Sequence, residues 1–415
     1  MASRWARLCA VGGLVFAIGC HHGGGLRPAD AGDGPADVAP QGEAPADAGA
    51  PETGPATGGE TGGGGAGGGG ASGGAKGETT DAGGADADVT PADAGATDAD
   101  ADGPRHLGAI AASPGTETSC VVLVDGTARC WGVGFLGDGP AVTTTTVAPE
   151  RAHTVAGLSD AVAISSGRTH VCALRGNGDV VCWGANDHGQ LGRASTCPPA
   201  GCETPTPVEG LGKAVDVRAA REYTCALLVG GTVACWGSNA RGQLGAPNQS
   251  FVAAVPGVSN ATAIAAGWFH TCAVVGGGSV ACWGGALLGD EAPALVPSID
   301  DATGVSVTNT MTCISRRDHS VWCWADDDHQ SMGAWTPASV AHVDNAHAVA
   351  GTCAVLGAGD LACWSGTAAA NIVPNLDGVT SLSAAVEQPV WLAVDRDGSV
   401  WTFDSKAQPT RLSGW

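Results

Sequence analysis

Residues 172–183 read Cys172-Ala-Leu-Arg-Gly-Asn-Gly-Asp-Val-Val-Cys182-Trp183, and this pattern decides the fold. A short apolar run, a Gly-Asn-Gly turn and a second apolar run indicate a β-hairpin. The third turn position is glycine in six copies and His319 in another, so we expect a positive φ there. The pattern of Cys, nine residues, Cys and Trp occurs at 120–131, 172–183, 225–236, 272–283, 313–324 and 353–364.

A seventh copy without cysteine follows at 392–403, where Leu392 and Thr402 replace the cysteines and Phe403 replaces the tryptophan. Another short strand is predicted upstream of each first cysteine, as at 161–167. Three to four short strands per repeat of about 44 residues, with almost no helical periodicity, are typical of propeller blades. The sequence therefore predicts an all-β fold, a seven-bladed β-propeller with disulfide-bridged hairpins, preceded by a disordered linker.

Two stretches resemble a known repeat family. Residues 264–274 read Ile-Ala-Ala-Gly-Trp-Phe-His-Thr-Cys-Ala-Val, and residues 236–245 read Trp-Gly-Ser-Asn-Ala-Arg-Gly-Gln-Leu-Gly. Both strongly resemble the regulator of chromosome condensation repeat, whose family forms a seven-bladed β-propeller. The resemblance extends over about 106–415 and weakens in copies five to seven, where residues 325–333 replace the glycine-rich loop.

Proline-rich strands that end in Val or Leu precede six of the hairpins, as at 205–208 and 337–340. The first hairpin has no such strand upstream, but residues 409–412 supply one at the C-terminus. We therefore expect the last strand to complete the blade that residues 107–112 begin, because a missing strand would leave an exposed sheet edge.

The N-terminus has the features of an export signal and an anchor. A basic segment at 1–7 precedes an apolar run at 8–18, which is too short to span a bilayer. Ala17-Ile18-Gly19-Cys20 resembles a bacterial lipobox, although the family usually has Leu in place of Ala17. We predict a lipoprotein signal peptide at 1–19 and lipidation of Cys20; an ordinary secretory peptide is the alternative.

Residues 20–105 are predicted to be a lipid-anchored disordered linker rich in Gly, Ala, Asp and Pro, because they offer almost no apolar surface to bury. The acidic run at 98–103 resembles the opening of a calcium loop, but Ala109 stands where the loop needs glutamate. The third segment, 106–415, holds twelve of the thirteen tryptophans and fourteen of the sixteen cysteines, so it is the predicted propeller.

The fourteen cysteines of this segment are expected to form seven disulfides. Residues ten apart around a three-residue turn face each other across a hairpin, with Cα atoms about 4.5–5.5 Å apart, and exported proteins keep disulfides. A metal site is disfavoured because no Cys-x-x-Cys spacing occurs. The predicted pairs are Cys120–Cys130, Cys172–Cys182, Cys197–Cys202, Cys225–Cys235, Cys272–Cys282, Cys313–Cys323 and Cys353–Cys363.

Several features could take part in recognition. The pair Cys197–Cys202 would close an insertion at 194–204, either as a recognition loop or as protection from proteolysis. Trp268, Phe269 and Trp335 break the repeat pattern and are either core residues or exposed anchors. His170 and His270 recur at one repeat position and are expected to be structural.

The net charge of −22 leaves no basic stripe for phosphates, so nucleic acid is excluded as a partner. No catalytic residues, metal or cofactor are predicted, and the protein is not expected to be an enzyme. The expected function is that of a monomeric binding scaffold, lipid-anchored at the outer membrane or bacterial cell surface, for an unknown extracytoplasmic protein. The alternatives are an extracytoplasmic polysaccharide lyase or hydrolase and a purely structural envelope component.

Overall fold

Seven antiparallel sheets follow one another along the chain, one for each copy of the repeat, and apart from one extra strand in the first sheet their strands are paired in chain order. This confirms the all-β, seven-bladed propeller. The computed structural model describes residues 107–139, 143–193, 202–247, 251–285, 292–309, 311–325, 336–365, 369–404 and 408–415. The predicted signal peptide, the linker, Cys20, Cys197 and Trp335 lie outside these residues.

The first four blades contain the strands β1 to β17. Blade 1 consists of β1 (Ala109–Ser113), β2 (Thr118–Leu123), β3 (Ala128–Gly134), β4 (Thr143–Val147), a 3-10 turn (Pro149–Arg151) and β5 (His153–Thr154). Blade 2 consists of β6 (Ala161–Ser166), β7 (His170–Arg175), β8 (Val180–Gly184) and β9 (Cys202–Pro207). Blade 3 consists of β10 (Ala214–Ala219), β11 (Tyr223–Leu228), β12 (Val233–Gly237) and β13 (Ala253–Ala254). Blade 4 consists of β14 (Ala263–Ala266), β15 (His270–Val275), β16 (Ser279–Gly284) and β17 (Ala294–Leu295).

The last three blades contain the strands β18 to β29. Blade 5 consists of β18 (Ala302–Val307), β19 (Met311–Arg316), β20 (Val321–Ala325) and β21 (Ala338–Ser339). Blade 6 consists of β22 (Ala346–Ala350), β23 (Cys353–Leu356), β24 (Leu361–Cys363) and β25 (Asn371–Ile372). Blade 7 consists of β26 (Val379–Ala384), β27 (Val390–Asp395), β28 (Val400–Asp404) and β29 (Thr410–Arg411).

The cysteines of each hairpin lie directly opposite each other, as Cys225 and Cys235 do. In that hairpin the backbone N–H of Leu228 donates to the carbonyl of Thr232 at 2.8 Å. Bonded and non-bonded pairs alternate along an antiparallel ladder, so the two cysteines, three pairs further on, form the closer, non-bonded kind of pair. The Cα atoms of the bridged pairs are accordingly only 4.1 Å apart.

Disulfide bonds join six of the predicted pairs, and the disulfide-bridged hairpins are thereby confirmed. They are Cys120–Cys130, Cys172–Cys182, Cys225–Cys235, Cys272–Cys282, Cys313–Cys323 and Cys353–Cys363. In blade 7, Leu392 and Thr402 take the same register without a bridge. Cys202 is also disulfide-bonded, but its predicted partner Cys197 lies outside the described residues, so that pairing stays a prediction.

The third turn position of the hairpins has a positive φ, as the recurring glycines predict: Gly178 has a φ of 84°. His319 occupies the position in blade 5 with a φ of 65°. A side chain with a Cβ is strained in this region, whereas glycine adopts it freely.

Replacing His319 with glycine is therefore expected to stabilise the protein. The relief of strain is offset in part by losing two contacts of the His319 ring: its Nδ1 lies 3.2 Å from the carbonyl oxygen of Ala346, and the centroid of the His347 ring lies 5.1 Å away. A net gain of about 0.5–1 kcal/mol corresponds to a rise of about 1–2 °C in the unfolding midpoint of a domain this long. Thermal unfolding of the purified protein measures it, with Gly178→His as the converse control that should lower the midpoint. A lower midpoint for His319→Gly would contradict the assignment of strain.

The core lies between neighbouring blades, because the aromatic residue after each second cysteine packs on the preceding blade. Trp236 of blade 3 packs with Leu174 and Leu191 of blade 2, and Trp183 packs with Val122 and Leu136 of blade 1. The repeated tryptophans are thus core residues that join successive blades.

The Gly-Gln-Leu-Gly loops strengthen the same contacts. The carbonyl of Gln190 accepts a hydrogen bond from the indole N–H of Trp236 at 2.9 Å, and that of Gln243 accepts one from Trp283 at 3.0 Å. Leu191, which follows Gln190, is fully buried. These contacts explain why the loop sequence recurs in adjacent blades.

Two recurring histidines also join blades. His170 Nε2 lies 2.8 Å from Thr224 Oγ1 in the next blade, and His270 Nε2 lies 2.9 Å from Thr312 Oγ1. Burial lowers the pKa of His170 to about 3, so its ring is neutral at physiological pH. The expected structural role of both histidines is confirmed.

The expected exchange of the C-terminal strand is wrong. Strand β29 pairs with β28 of its own blade, where Trp401 is opposite Arg411. Blade 1 is completed by β4 and β5, which both pair with β3. The physical reason is the phase of the repeat: the proline-rich strands end blades rather than begin them, so each repeat supplies all its own strands.

Blades 1 and 7 are joined by packing and hydrogen bonds instead. The rings of Trp131 and the C-terminal Trp415 are stacked, with centroids 5.8 Å apart. Arg129 Nη1 donates to the carbonyl of Gly414 at 2.9 Å. These contacts hold the end of the chain on the blade where the propeller begins.

Candidate functional site

The first strands of all seven blades line one narrow central channel, with a cavity of about 70 Å³. At one equivalent position the strands carry Ser113, Ser165, Arg218, Ala265, Ser306, Ala350 and Ser383. Some of the serines join blades: Ser165 Oγ accepts a hydrogen bond from the backbone N–H of Ala219 at 2.9 Å. The channel wall is thus made mostly of small side chains.

One ion pair interrupts this wall. Arg218 Nη2 lies 2.9 Å from Asp216 Oδ2 on the same strand. Burial raises the pKa of the Asp216 carboxyl, and the charge of Arg218 opposes that rise. Arg218 is the charged residue of the described channel lining, which is otherwise made of Ser, Ala, Val, Ile and Leu.

The channel mouth is formed by the connections between the first and second strands of the blades. These connections are residues 114–117, 167–169, 220–222, 267–269, 308–309, 351–352 and 385–389. Several of them carry charged or aromatic residues, in contrast to the channel wall. We call Arg168, Arg221, Glu222, Trp268 and Glu387 the mouth cluster.

Glu387 is the centre of the mouth cluster. Its Oε1 lies 3.3 Å from Arg221 Nε of blade 3, and its Oε2 lies 4.0 Å from Arg168 Nε of blade 2. Thr116 of blade 1 donates its hydroxyl hydrogen to Oε2 at 3.2 Å. With a side chain only 12 % exposed, Glu387 brings a largely buried carboxylate from blade 7 to three other blades.

Glu222 forms the second acidic contact of the cluster. Its carboxylate lies 3.7 Å from Arg168 Nη1, 3.8 Å from Arg221 Nε and 3.5 Å from His188 Nε2. Both arginines therefore stand between two carboxylates. Ion pairs at such distances and partial exposure contribute little stability one by one, about 0–1 kcal/mol each.

Aromatic side chains flank the arginines. Trp268 and Phe269 stack on each other with centroids 5.4 Å apart, and the guanidinium carbon of Arg221 lies 4.5 Å from the centre of the Trp268 ring. The guanidinium carbon of Arg241 lies 5.1 Å from the centre of the Phe269 ring. Trp268 and Phe269 are half-buried, so they lie between the two alternatives, core and exposed anchor, that the sequence left open.

Hydrogen-bonding capacity in the mouth cluster is incompletely used. Arg221 Nε, Glu387 Oε1 and Trp268 Nε1 are buried atoms without a hydrogen-bond partner among the described residues. Arg221 and Glu387 face each other as an ion pair but without hydrogen-bond geometry. Buried polar atoms of this kind are uncommon in folded proteins, and here two donors and one acceptor of the same cluster are left available.

The sequence singled out Trp268 and Phe269 but missed the charged members of this cluster. The sequence nevertheless contains a sign of these charged residues. In the repeat Gly-x-x-His, the two x positions differ between copies, whereas the flanking residues recur. They hold Arg168 in blade 2 and Trp268 in blade 4, and Arg221 stands at the equivalent place in blade 3. Variable positions within a recurring motif mark the channel mouth.

Among the described residues, no helix is long and apolar enough to cross a membrane. Within the same parts of the chain, no three His, Cys, Asp or Glu side chains come together in a way that could hold a metal ion.

Family models identify the repeats. Two models, both described as the regulator of chromosome condensation (RCC1) repeat, match residues 161–190 and residues 177–227 and 230–274. These ranges cover blades 2 and 3 and the first two strands of blade 4, and they include both Gly-Gln-Leu-Gly loops, at 189–192 and 242–245.

Among related proteins, the chain is 42 % identical over 89 residues to protein RCC2 homolog of Danio rerio, which covers 21 % of this chain and 17 % of that protein. It is 38 % identical over 89 residues to the regulator of chromosome condensation of Drosophila melanogaster, covering 21 % of this chain and 16 % of that protein. The chain thus matches less than a fifth of the length of either relative.

Among solved structures, Prp20p from Saccharomyces cerevisiae superimposes with a TM-score of 0.56 at 19 % identity, over 70 % of this chain and 86 % of that one. At this identity the likeness concerns the fold alone. The chain therefore carries regulator of chromosome condensation (RCC1) repeats within residues 161–274, and its described part is a seven-bladed β-propeller.

Proposed function

We propose that this protein is a lipid-anchored binding scaffold of the bacterial envelope that captures an extracytoplasmic protein at the channel mouth. The observation that carries the proposal is the mouth cluster, in which charged and aromatic side chains of several blades meet at the end of a channel walled by small residues. Tryptophan and arginine are the residues most enriched among the energetically dominant contacts of protein interfaces.

The direction of the strands supports this choice of face. The chain enters the propeller beside a hairpin turn, where the backbone N–H of Ala109 donates to the carbonyl of Gly398 at 2.8 Å. The hairpin turns and the first-to-second connections lie at opposite ends of the second strands. The propeller therefore begins, at residue 107, on the face opposite the mouth.

The size of the channel also supports a protein partner. A cavity of about 70 Å³ is far smaller than the roughly 300–1,000 Å³ of typical small-molecule pockets. The mouth offers its functional groups at the surface, as a protein interface does. Lipid on Cys20 and a long linker would let the propeller search for its partner near the membrane.

Crosslinking and capture from intact cells test the proposal, with Trp268→Ala as the informative variant. We expect the wild type to capture a defined protein and Trp268→Ala to lose most of that capture, because truncation of a central interface tryptophan commonly costs about 2 kcal/mol or more, equivalent to about thirtyfold in affinity. Trp322→Ala is the matched control: it is also half-buried beneath an arginine, with the guanidinium of Arg316 4.6 Å away, but it lies on blade 5 outside the mouth.

Equal loss of capture in both variants would indicate a general effect on folding, which thermal unfolding of each variant would reveal. Undiminished capture by Trp268→Ala would place the binding surface elsewhere on the propeller and overturn the assignment. The absence of any captured protein from wild-type cells would favour a purely structural role.

A further inference from the structure

Resting on the protein-binding function proposed above, we propose that the mouth cluster binds a carboxylate side chain of the partner, which takes the place of Glu387 between Arg168 and Arg221. The chain's own glutamate then acts as an internal stand-in for the ligand. The partner class is a protein with an exposed acidic segment.

The first step concerns what the two arginines hold. They come from neighbouring blades and approach the two oxygens of one carboxylate, Arg221 at 3.3 Å and Arg168 at 4.0 Å. Guanidinium groups match the planar carboxylate and hold it best when two N–H groups donate in parallel. The distance of 4.0 Å is too long for a hydrogen bond, so Arg168 is paired with Glu387 by charge alone, and Glu387 leaves its donors unused.

The second step concerns the unused donors. Arg221 Nε and the indole nitrogen of Trp268 are buried without hydrogen-bond partners among the described residues. Both groups only donate, so the chemistry that satisfies them is an acceptor. Arg221 stacks on Trp268 at 4.5 Å, which fixes the guanidinium in place and reduces the ordering needed when a ligand binds. An incoming carboxylate would find donors already positioned.

The third step concerns Glu387 and its loop. The connection at 385–389 is two residues longer than the corresponding one of blade 2, since thirteen positions separate Val379 from Leu392 and eleven separate Ala161 from Cys172. The longer loop carries a carboxylate from blade 7 to blades 2 and 3. The proposed exchange requires this loop to withdraw Glu387 while the strands of blade 7 stay paired, and connections between strands are where such local rearrangement costs least.

The experiment uses the purified full chain in detergent and a fluorescein-labelled hexaglutamate peptide as the probe, with hexaglutamine as the uncharged comparison. Fluorescence anisotropy measures binding to the wild type, Glu387→Gln and Arg221→Gln. We expect Glu387→Gln to bind hexaglutamate about tenfold more tightly than the wild type, a change of about 1.4 kcal/mol. We expect Arg221→Gln to bind it weakly, both alone and combined with Glu387→Gln.

The matched control is Asp397→Asn, which removes the same charge from the exposed hairpin turn at the other end of blade 7. It should leave the affinity unchanged, so a general effect of net charge is excluded. Glu387→Asp serves as a second variant in case Glu387→Gln folds poorly: it keeps the charge but withdraws it by one methylene, and should give an intermediate gain.

Equal affinities of the wild type, Glu387→Gln and Glu387→Asp would overturn the proposal, and so would a gain that survives Arg221→Gln. The outcome is separable from that of the proposed function. Capture from cells that depends on Trp268, without any binding of hexaglutamate, would leave the scaffold function in place and remove only the carboxylate ligand. Tight binding of the peptide without any captured protein would leave the carboxylate site in place and remove the scaffold function.

Discussion

Replacing Cys20 with serine is expected to abolish incorporation of radiolabelled palmitate and to release the protein from the membrane fraction. A serine hydroxyl at this position cannot form the thioether on which a lipoprotein anchor is built. The remaining apolar run at 8–18 is too short to span a bilayer, and the acidic linker is not attracted to anionic lipid. Metabolic labelling and fractionation of cells that express each variant measure the effect.

Cys9→Ser is the matched control, because it makes the same substitution inside the apolar run of the predicted leader. It should label and fractionate like the wild type. If Cys20→Ser incorporates as much palmitate as the wild type, Cys20 is not the lipidated residue and the anchored function loses its basis.

Replacing Trp236 with alanine is expected to produce the largest loss of stability among the core substitutions considered. The side chain is fully buried between blades 2 and 3, and its indole N–H donates to the carbonyl of Gln190 at 2.9 Å. Truncation leaves a cavity and removes one of the two hydrogen bonds that the Gln190 carbonyl accepts, the other coming from the Thr224 hydroxyl, with a cost of about 3–5 kcal/mol. For a propeller of about 300 residues this corresponds to a fall of about 5–8 °C in the unfolding midpoint.

Thermal unfolding of the purified protein measures this fall, and Trp322→Ala provides the comparison. Trp322 is half-buried, so its truncation removes less packed surface and should lower the midpoint by a much smaller amount. Similar losses for the two variants would show that the contact between blades 2 and 3 does not dominate, contrary to the packing described here.

Much of the fold could be predicted because the same local sequence pattern, and with it the same local structure, recurs in several copies of the repeat. The spacing of Cys172 and Cys182, with glycine in the turn between them, recurs often enough to identify both the hairpin and its register. The positive φ at His319 was likewise foreseeable, since its position is glycine in six other copies. Each copy acted as an independent observation of one local structure.

The candidate site was less accessible to such reasoning. Trp268 was noticed as a break in the pattern, but the ion pair of Glu387 with Arg221 joins residues 166 positions apart in sequence. Nothing local indicates that a loop of blade 7 reaches blade 3. Repeat analysis detects what the copies share, whereas a site at the channel mouth is built from what they do not share.

The sequence alone determined the number of blades, the hairpin register and the pairing of six disulfides, because these depend on contacts between residues close together in the chain. Only the tertiary structure decided how the ring closes and which charges meet. From the sequence alone, the proline-rich strand at 409–412 could be either the first strand of a blade or the last. It pairs with β28 because each blade ends, rather than begins, with its proline-rich strand. The stacking of Trp415 on Trp131 and the meeting of Glu387 with two arginines both depend on the closed ring, which brings together residues that the chain itself keeps far apart.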